Sequence, residues 1–174
     1  MRITLLSALF LGACSACTWS AAQSTGCEPL GPGQRLPSVL RESSGVAWSL
    51  RHPGVLWSHN DSGHRPELYA IDSEGNLLGT FALAGVRNRD WEDIATGPCG
   101  ELTCIYIADT GDNGESRRRL QLHRVAEPSD LTPAETGVSD SPPNTSANRT
   151  LEPQTFPMIL PDGPRDIEAL FVSP

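Results

Sequence analysis

The sequence predicts an all-β protein built on a repeated four-stranded module, and three observations carry that prediction. The chain holds 16 glycines and 15 prolines in 174 residues, about 18% against a usual share of roughly 12%, which favours turns and short strands over long helices. Short β-favouring runs recur at about ten-residue spacing with turn formers between them. Landmark residues then return at a constant displacement.

The first module reads as four strands at 45–48, 55–57, 68–71 and 77–83. They are separated by His52-Pro53-Gly54, Asn60-Asp61-Ser62-Gly63 and Ser73-Glu74-Gly75-Asn76, the pattern of an antiparallel meander. A second copy follows. Val46-Ala47 returns as Ile94-Ala95 and Asp61-Ser62-Gly63 as Asp109-Thr110-Gly111, each displaced by 48. Residues 68–71 correspond to 120–123 at a displacement of 52, because 113–119 lengthens one loop. A third copy opens at 165–171, where Arg165-Asp166-Ile167-Glu168-Ala169-Leu170 echoes Arg89-Asp90-Trp91-Glu92-Asp93-Ile94 at 76. The extra length is placed in 126–154, rich in Ser, Thr, Pro and Asn, as an exposed, disordered insertion.

A four-stranded repeat near 48 residues has the size of one β-propeller blade. The expected fold is therefore a partial β-propeller over 36–174, with two four-stranded blades and the first strand of a third. Rings of this kind close with about four to eight blades. The chain is thus expected either to come from a truncated reading frame or to find its missing blades on another chain; a small β-sandwich is the alternative. Trp48, Trp57 and Trp91 follow the strands and are expected to pack between blades.

The N-terminus reads as an export signal over 1–13, one arginine followed by a short apolar run far below the roughly 20 residues that span a bilayer. Leu11-Gly12-Ala13-Cys14 has the form of a lipoprotein box, which makes Cys14 the expected site of lipidation, 14–35 a tether, and the cell envelope, outside the cytoplasm, the expected location. Cleavage after Ala22, giving a soluble secreted or periplasmic protein, is the alternative. Acylation of Cys14 leaves four of the five cysteines, an even number in an oxidising compartment. Cys99 and Cys104 bracket a tight turn and are expected to form a disulfide. Cys14 and Cys17 lack the second CxxC pair that a zinc site would use.

Glu42-Ser43-Ser44-Gly45-Val46-Ala47, the run from His52 to Gly63 with its HNDSG, the DWEDIA of Asp90 to Ala95, the DTGDN of Asp109 to Asn113 and Pro161 to Leu170 carry a family likeness. Together they resemble the opening half of bacterial exported β-propeller proteins, related at fold level to phytase-like, NHL-type and gluconolactonase-like propellers. The resemblance covers about 36–174. It implies a fold more than a chemistry, since propellers serve as hydrolases, lactonases and binding platforms.

Acidic and amide residues collect at corresponding ends of the modules: Asn60 and Asp61, Asp90 with Glu92 and Asp93, Asp109 with Asp112 and Asn113, Asp166 with Glu168. First strands line the channel of a propeller, so such carboxylates converge and repel unless a cation, a proton or an arginine intervenes. Oxygen donors suit calcium. The candidate ligands are Asp109, Asp112, Asn113, Glu92, Asp93 and Glu168, with His59, Asn60 and Asp61 as further binding residues. The competing reading makes the Asp-Ser-Gly and Asp-Thr-Gly turns plain turn formers, His59 a contact to the neighbouring blade, and Arg117-Arg118-Arg119 a solvated loop beside Asp112 and Glu115 instead of a site for phosphate or anionic lipid.

Other classes are excluded. Acidic residues outnumber basic ones 21 to 13 for a net charge of -8, the wrong sign for coating nucleic acid. All 13 basic residues are arginine, which removes Schiff-base and P-loop-lysine chemistry. No GxSxG, HExxH, GxGxxG or Walker A pattern occurs. The expected function is an exported, lipid-anchored binding or scaffold module that holds calcium. The alternatives are a calcium-dependent hydrolase of phosphoester or lactone type, and a truncated gene product without independent function.

Overall fold

The computed structural model describes residues 33–131 and 149–173, and every regular element among them is a strand. The signal segment, Cys14, nearly all of the tether and the centre of the proposed insertion lie outside the described residues. The all-β expectation holds. The strands are β1 (Ser43–Trp48), β2 (Val55–Asn60), β3 (Glu67–Asp72), β4 (Leu77–Leu83), β5 (Trp91–Cys99), β6 (Leu102–Asp109), β7 (Leu120–Ala126), β8 (Arg149–Leu151) and β9 (Gln154–Met158). They form one sheet in the order β1-β2-β3-β4-β8 and another in the order β5-β6-β7-β9.

Both sheets are built on the same four-stranded antiparallel meander, and the registers show how far the likeness extends. Ser43 faces Asn60 and Gly45 faces His59; Trp91 faces Asp109 and Asp93 faces Ala108. The ladder therefore bulges at Ser44 in β1 and at Glu92 in β5, residues 48 apart. A bulge inserts one extra residue and re-aims its side chain, so Trp91 and Ile94, three apart, both join the apolar cluster between the sheets.

Two alignments made on the sequence are corrected. The step from Ala47 to its partner Trp57 is one residue shorter than that from Ala95 to Tyr106, so Asn60, and not Asp61, is the counterpart of Asp109. The connection from Ser58 to Tyr69 is five residues shorter than that from Ile107 to His123, so Tyr69 matches His123 at a displacement of 54, not 52.

The two sheets stack through their first strands. Ser44 Oγ donates to the main-chain oxygen of Glu92 (3.0 Å) and Thr96 Oγ1 to that of Trp48 (2.9 Å), again 48 residues apart. Gly45 permits the approach, since a Cβ there would lie 2.8 Å from Ile94 N and 2.9 Å from the Asp93 Cα. Trp57, Leu68 and Phe81 of the first sheet meet Trp91, Ile94, Ile105 and Ile107 of the second in one core. Trp57 and Phe81 meet edge to face at 5.4 Å. Truncating a fully buried tryptophan such as Trp57 or Trp91 costs about 3–5 kcal/mol. Trp48 corrects the packing expectation: it is 61% exposed, on the face of β1 turned away from the second sheet.

The insertion is smaller than expected. Glu127 and Pro128 are buried, with Glu127 accepting a hydrogen bond from Trp57 Nε1 (2.8 Å), and β8 adds to β4 in parallel. The third first strand is also corrected. Residues 165–172 make no ladder; the segment is held instead by Thr110 Oγ1 donating to Ile167 O (2.7 Å) and Leu170 N donating to the side-chain Oδ2 of Asp93 (2.7 Å), so side-chain bonds take the place of strand pairing. The expected Cys99–Cys104 disulfide is present across the β5–β6 turn, with Cα atoms 5.8 Å apart.

Candidate functional site

The connections β2–β3, β4–β5 and β6–β7 and the segment after β9 leave their strands at one end of the stack, and carboxylates meet there. Asp61, Asp90 and Glu92 bring oxygens within 4.8 Å of one another; so do Glu92, Asp166 and Glu168. Glu92 belongs to both groups. It is the bulge residue of β5 and is 8% exposed, and in the third copy the same D-x-E spacing supplies Asp166 and Glu168.

Glu92 has its pKa pushed up from 4.5 to about 7, first by burial and then by the charge and hydrogen bonding of Glu168, with Asp61 and Asp90 adding to it. Asp90 is also raised, by burial and then by Asp61, against a partial offset from Arg117. Gly111 lies directly against this group: a Cβ there would collide with Glu92 Oε1 and come within 2.5 Å of the Asp90 carboxyl. The Gly111 amide also donates to Asp90 O (3.1 Å).

Of the residues expected as ligands, Glu92 and Glu168 are brought together, and Asp61 joins them from the further binding set. The others lie outside these groups, all but Asn113 engaged with other partners. Asp109 is fully buried, paired with Arg117 (2.7 Å) and 3.8 Å from His123 Nε2. Asp112 accepts from Arg117 N (2.7 Å) and Ser116 Oγ (3.4 Å). Burial pushes its carboxyl up, but these donors outweigh that and hold it below its ordinary value. Asp93 uses one oxygen for Ile94 N (2.8 Å) and the other for Leu170 N, while Asn113 is exposed. Asn60 fastens the chain before β1, accepting from Glu42 N (3.0 Å) and donating to Val39 O (2.8 Å).

His59 is buried, its ring nearly perpendicular to that of Trp91 of the other sheet with centroids 5.6 Å apart; burial lowers its pKa against the opposing hydrogen bond of Asn60. The contact is to the neighbouring sheet. Arg117 is no solvated loop residue: its side chain is 13% exposed and bonds Asp109. Asp90 and Asp166, outside the expected ligand set, are inside the observed groups. The signal that marks them is the shared D-x-E spacing, 90 before 92 and 166 before 168.

Compared with family models, curated proteins and solved structures, the chain finds no match.

Proposed function

We propose that the chain is an exported, lipid-anchored module of the β-propeller type that binds a divalent cation, calcium, at the carboxylates around Glu92. The carrying observation is that one buried glutamate is shared by two three-carboxylate groups drawn from successive repeats. Such a set is destabilised by its own charge unless a cation or a proton occupies it, and all-oxygen donors match calcium. The repeat geometry supports the propeller reading: equivalent bulges lie side by side at the stacked first strands. Val46 is 59% exposed, whereas its counterpart Ile94, covered by the first sheet, is 3% exposed. That bare face is where a further blade, carried by another chain, would stack. The disulfide accords with an oxidising compartment.

A calcium-dependent hydrolase acting on a phosphoester or lactone is the second reading. It is favoured by Glu92 titrating near neutrality beside Glu168, the poise of a general acid or base. Calorimetric titration with Ca²⁺, melting with Ca²⁺ or chelator, and assays on phosphomonoesters and lactones separate the readings. Saturable calcium binding and a raised melting temperature without turnover support the binding module; turnover lost in Glu92→Gln supports the enzyme. An unchanged melt under both conditions with no heat of binding rejects the cation. For the anchor, Cys14→Ala is expected to release the protein from the membrane fraction.

A further inference from the structure

A groove of about 450 Å³ opens between the β4–β5 connection and strands β7 and β9, with Arg87, Arg89, Gln121, His123 and Thr155 in its walls. Its counterpart lies on the same face of the first sheet, about 370 Å³, walled by residues that include Arg41, Glu67 and Tyr69. The correspondence is residue by residue. Arg41 precedes Arg89 by the 48-residue repeat, and the β3 and β7 registers match Glu67 with Gln121 and Tyr69 with His123. One repeat position thus forms a groove twice.

The two grooves differ in charge. In the first, the Glu67 carboxylate accepts from Tyr69 OH (2.9 Å) and lies 4.0 Å from Arg65, so it holds its own anion. Both walls carry two arginines, Arg41 and Arg65 in the first and Arg87 and Arg89 in the second, but in the second glutamine replaces the carboxylate and no acidic residue among the described residues lines the wall. Such a groove is unusual on a chain of net charge -8. At its base, His123 Nδ1 and Thr155 Oγ1 share a hydrogen bond of 2.9 Å, while His123 Nε2, fully buried and without a hydrogen-bond partner among the described residues, lies 3.8 Å from Asp109 Oδ2.

We propose that the second groove binds a phosphate group, with Arg87 and Arg89 supplying the charge and Gln121 and Thr155 further donors. Guanidinium forks suit the several oxygens of a tetrahedral oxyanion. The two grooves act as natural contrast: the glutamate of the first occupies the place that the ligand's charge takes in the second. The assignment rests on the repeat register and does not depend on the cation near Glu92.

The test is titration of the full chain with inorganic phosphate, by calorimetry and amide chemical shifts, with chelator present to exclude the cation. Saturable binding is expected, weakened at least tenfold by Arg87→Ala plus Arg89→Ala and abolished by Gln121→Glu, which restores the charge of the first groove. Arg87 and Arg89 are exposed, so the double variant is expected to keep the wild-type melting temperature without phosphate. Glycerol phosphate and phosphatidic acid vesicles separate a free ligand from a lipid headgroup, and binding of either upholds the site. Equal phosphate affinity in the wild type and both variants, no binding by the wild type, or acetate binding as tightly as phosphate would overturn it.

Discussion

Ser44 and Glu92 occupy the same bulge of successive repeats and touch, the serine hydroxyl donating to the glutamate carbonyl at 3.0 Å. The contact ties the stacking of the sheets to the carboxylate group, because the bulge that brings the first strands together also turns the Glu92 side chain toward Asp61, Asp90 and Glu168.

Glu92 makes stability depend on pH. Its folded pKa, about 7, lies above the ordinary 4.5, so the folded state holds the proton more tightly than the unfolded one. The contribution is fully present below about pH 4.5 and is lost as pH rises through 7. In chelator, urea denaturation is expected to show about 1–3 kcal/mol less stability at pH 8 than at pH 4.5 from this group. Glu92→Gln removes that slope and is the more stable protein at pH 8. Added calcium flattens the wild-type slope as well.

Gly111 is required by contact and not by backbone angle, since it is absent from the positive-φ glycines. A methyl group there meets Glu92 Oε1 and Asp90. Gly111→Ala is expected to cost about 1–3 kcal/mol through overpacking and to weaken calcium binding, both read by melting with and without Ca²⁺. Unaltered stability and affinity would contradict the contact.

Asp109 and Arg117 form a pair with little exposure. Asp109→Ala strands the guanidinium and is expected to cost about 3–5 kcal/mol, whereas Asp109→Leu with Arg117→Met recovers most of the loss, because desolvation is then no longer charged to either group. Chemical denaturation of the single and double variants decides it.

The Cys99–Cys104 bridge closes a short loop already held by the β5–β6 ladder. Replacing both cysteines by serine is expected to cost about 2 kcal/mol from loop entropy and to leave the far-ultraviolet circular dichroism unchanged. Collapse of the β spectrum would mean that the bridge does more than close the turn.

The strands were legible because each is bounded by residues that terminate it. Gly54, Gly75 and Gly100 take positive φ in their turns, and apolar runs lie between them. The displacement of 48 was legible for the first strands, where no insertion intervenes. It grows to 49 at Asp109 and to 54, two more than the expected 52, at His123, since loop lengths are only weakly constrained by local sequence. Local spacing cannot distinguish a carboxylate aimed at its neighbours from one satisfied at home: Asp109 and Asp112 match the expected pattern, yet Arg117 and nearby amides consume them.

What residue order alone determined is the all-β class, the duplicated module and the closed cysteine pair, because turn chemistry, alternation and short spacing act over a few residues. Tertiary structure decided which acids share one space, which arginine is buried, and which of two equivalent grooves is free of carboxylate. Those outcomes depend on the stacking of one sheet against another, where residues dozens of positions apart compete for the same charge and the same room.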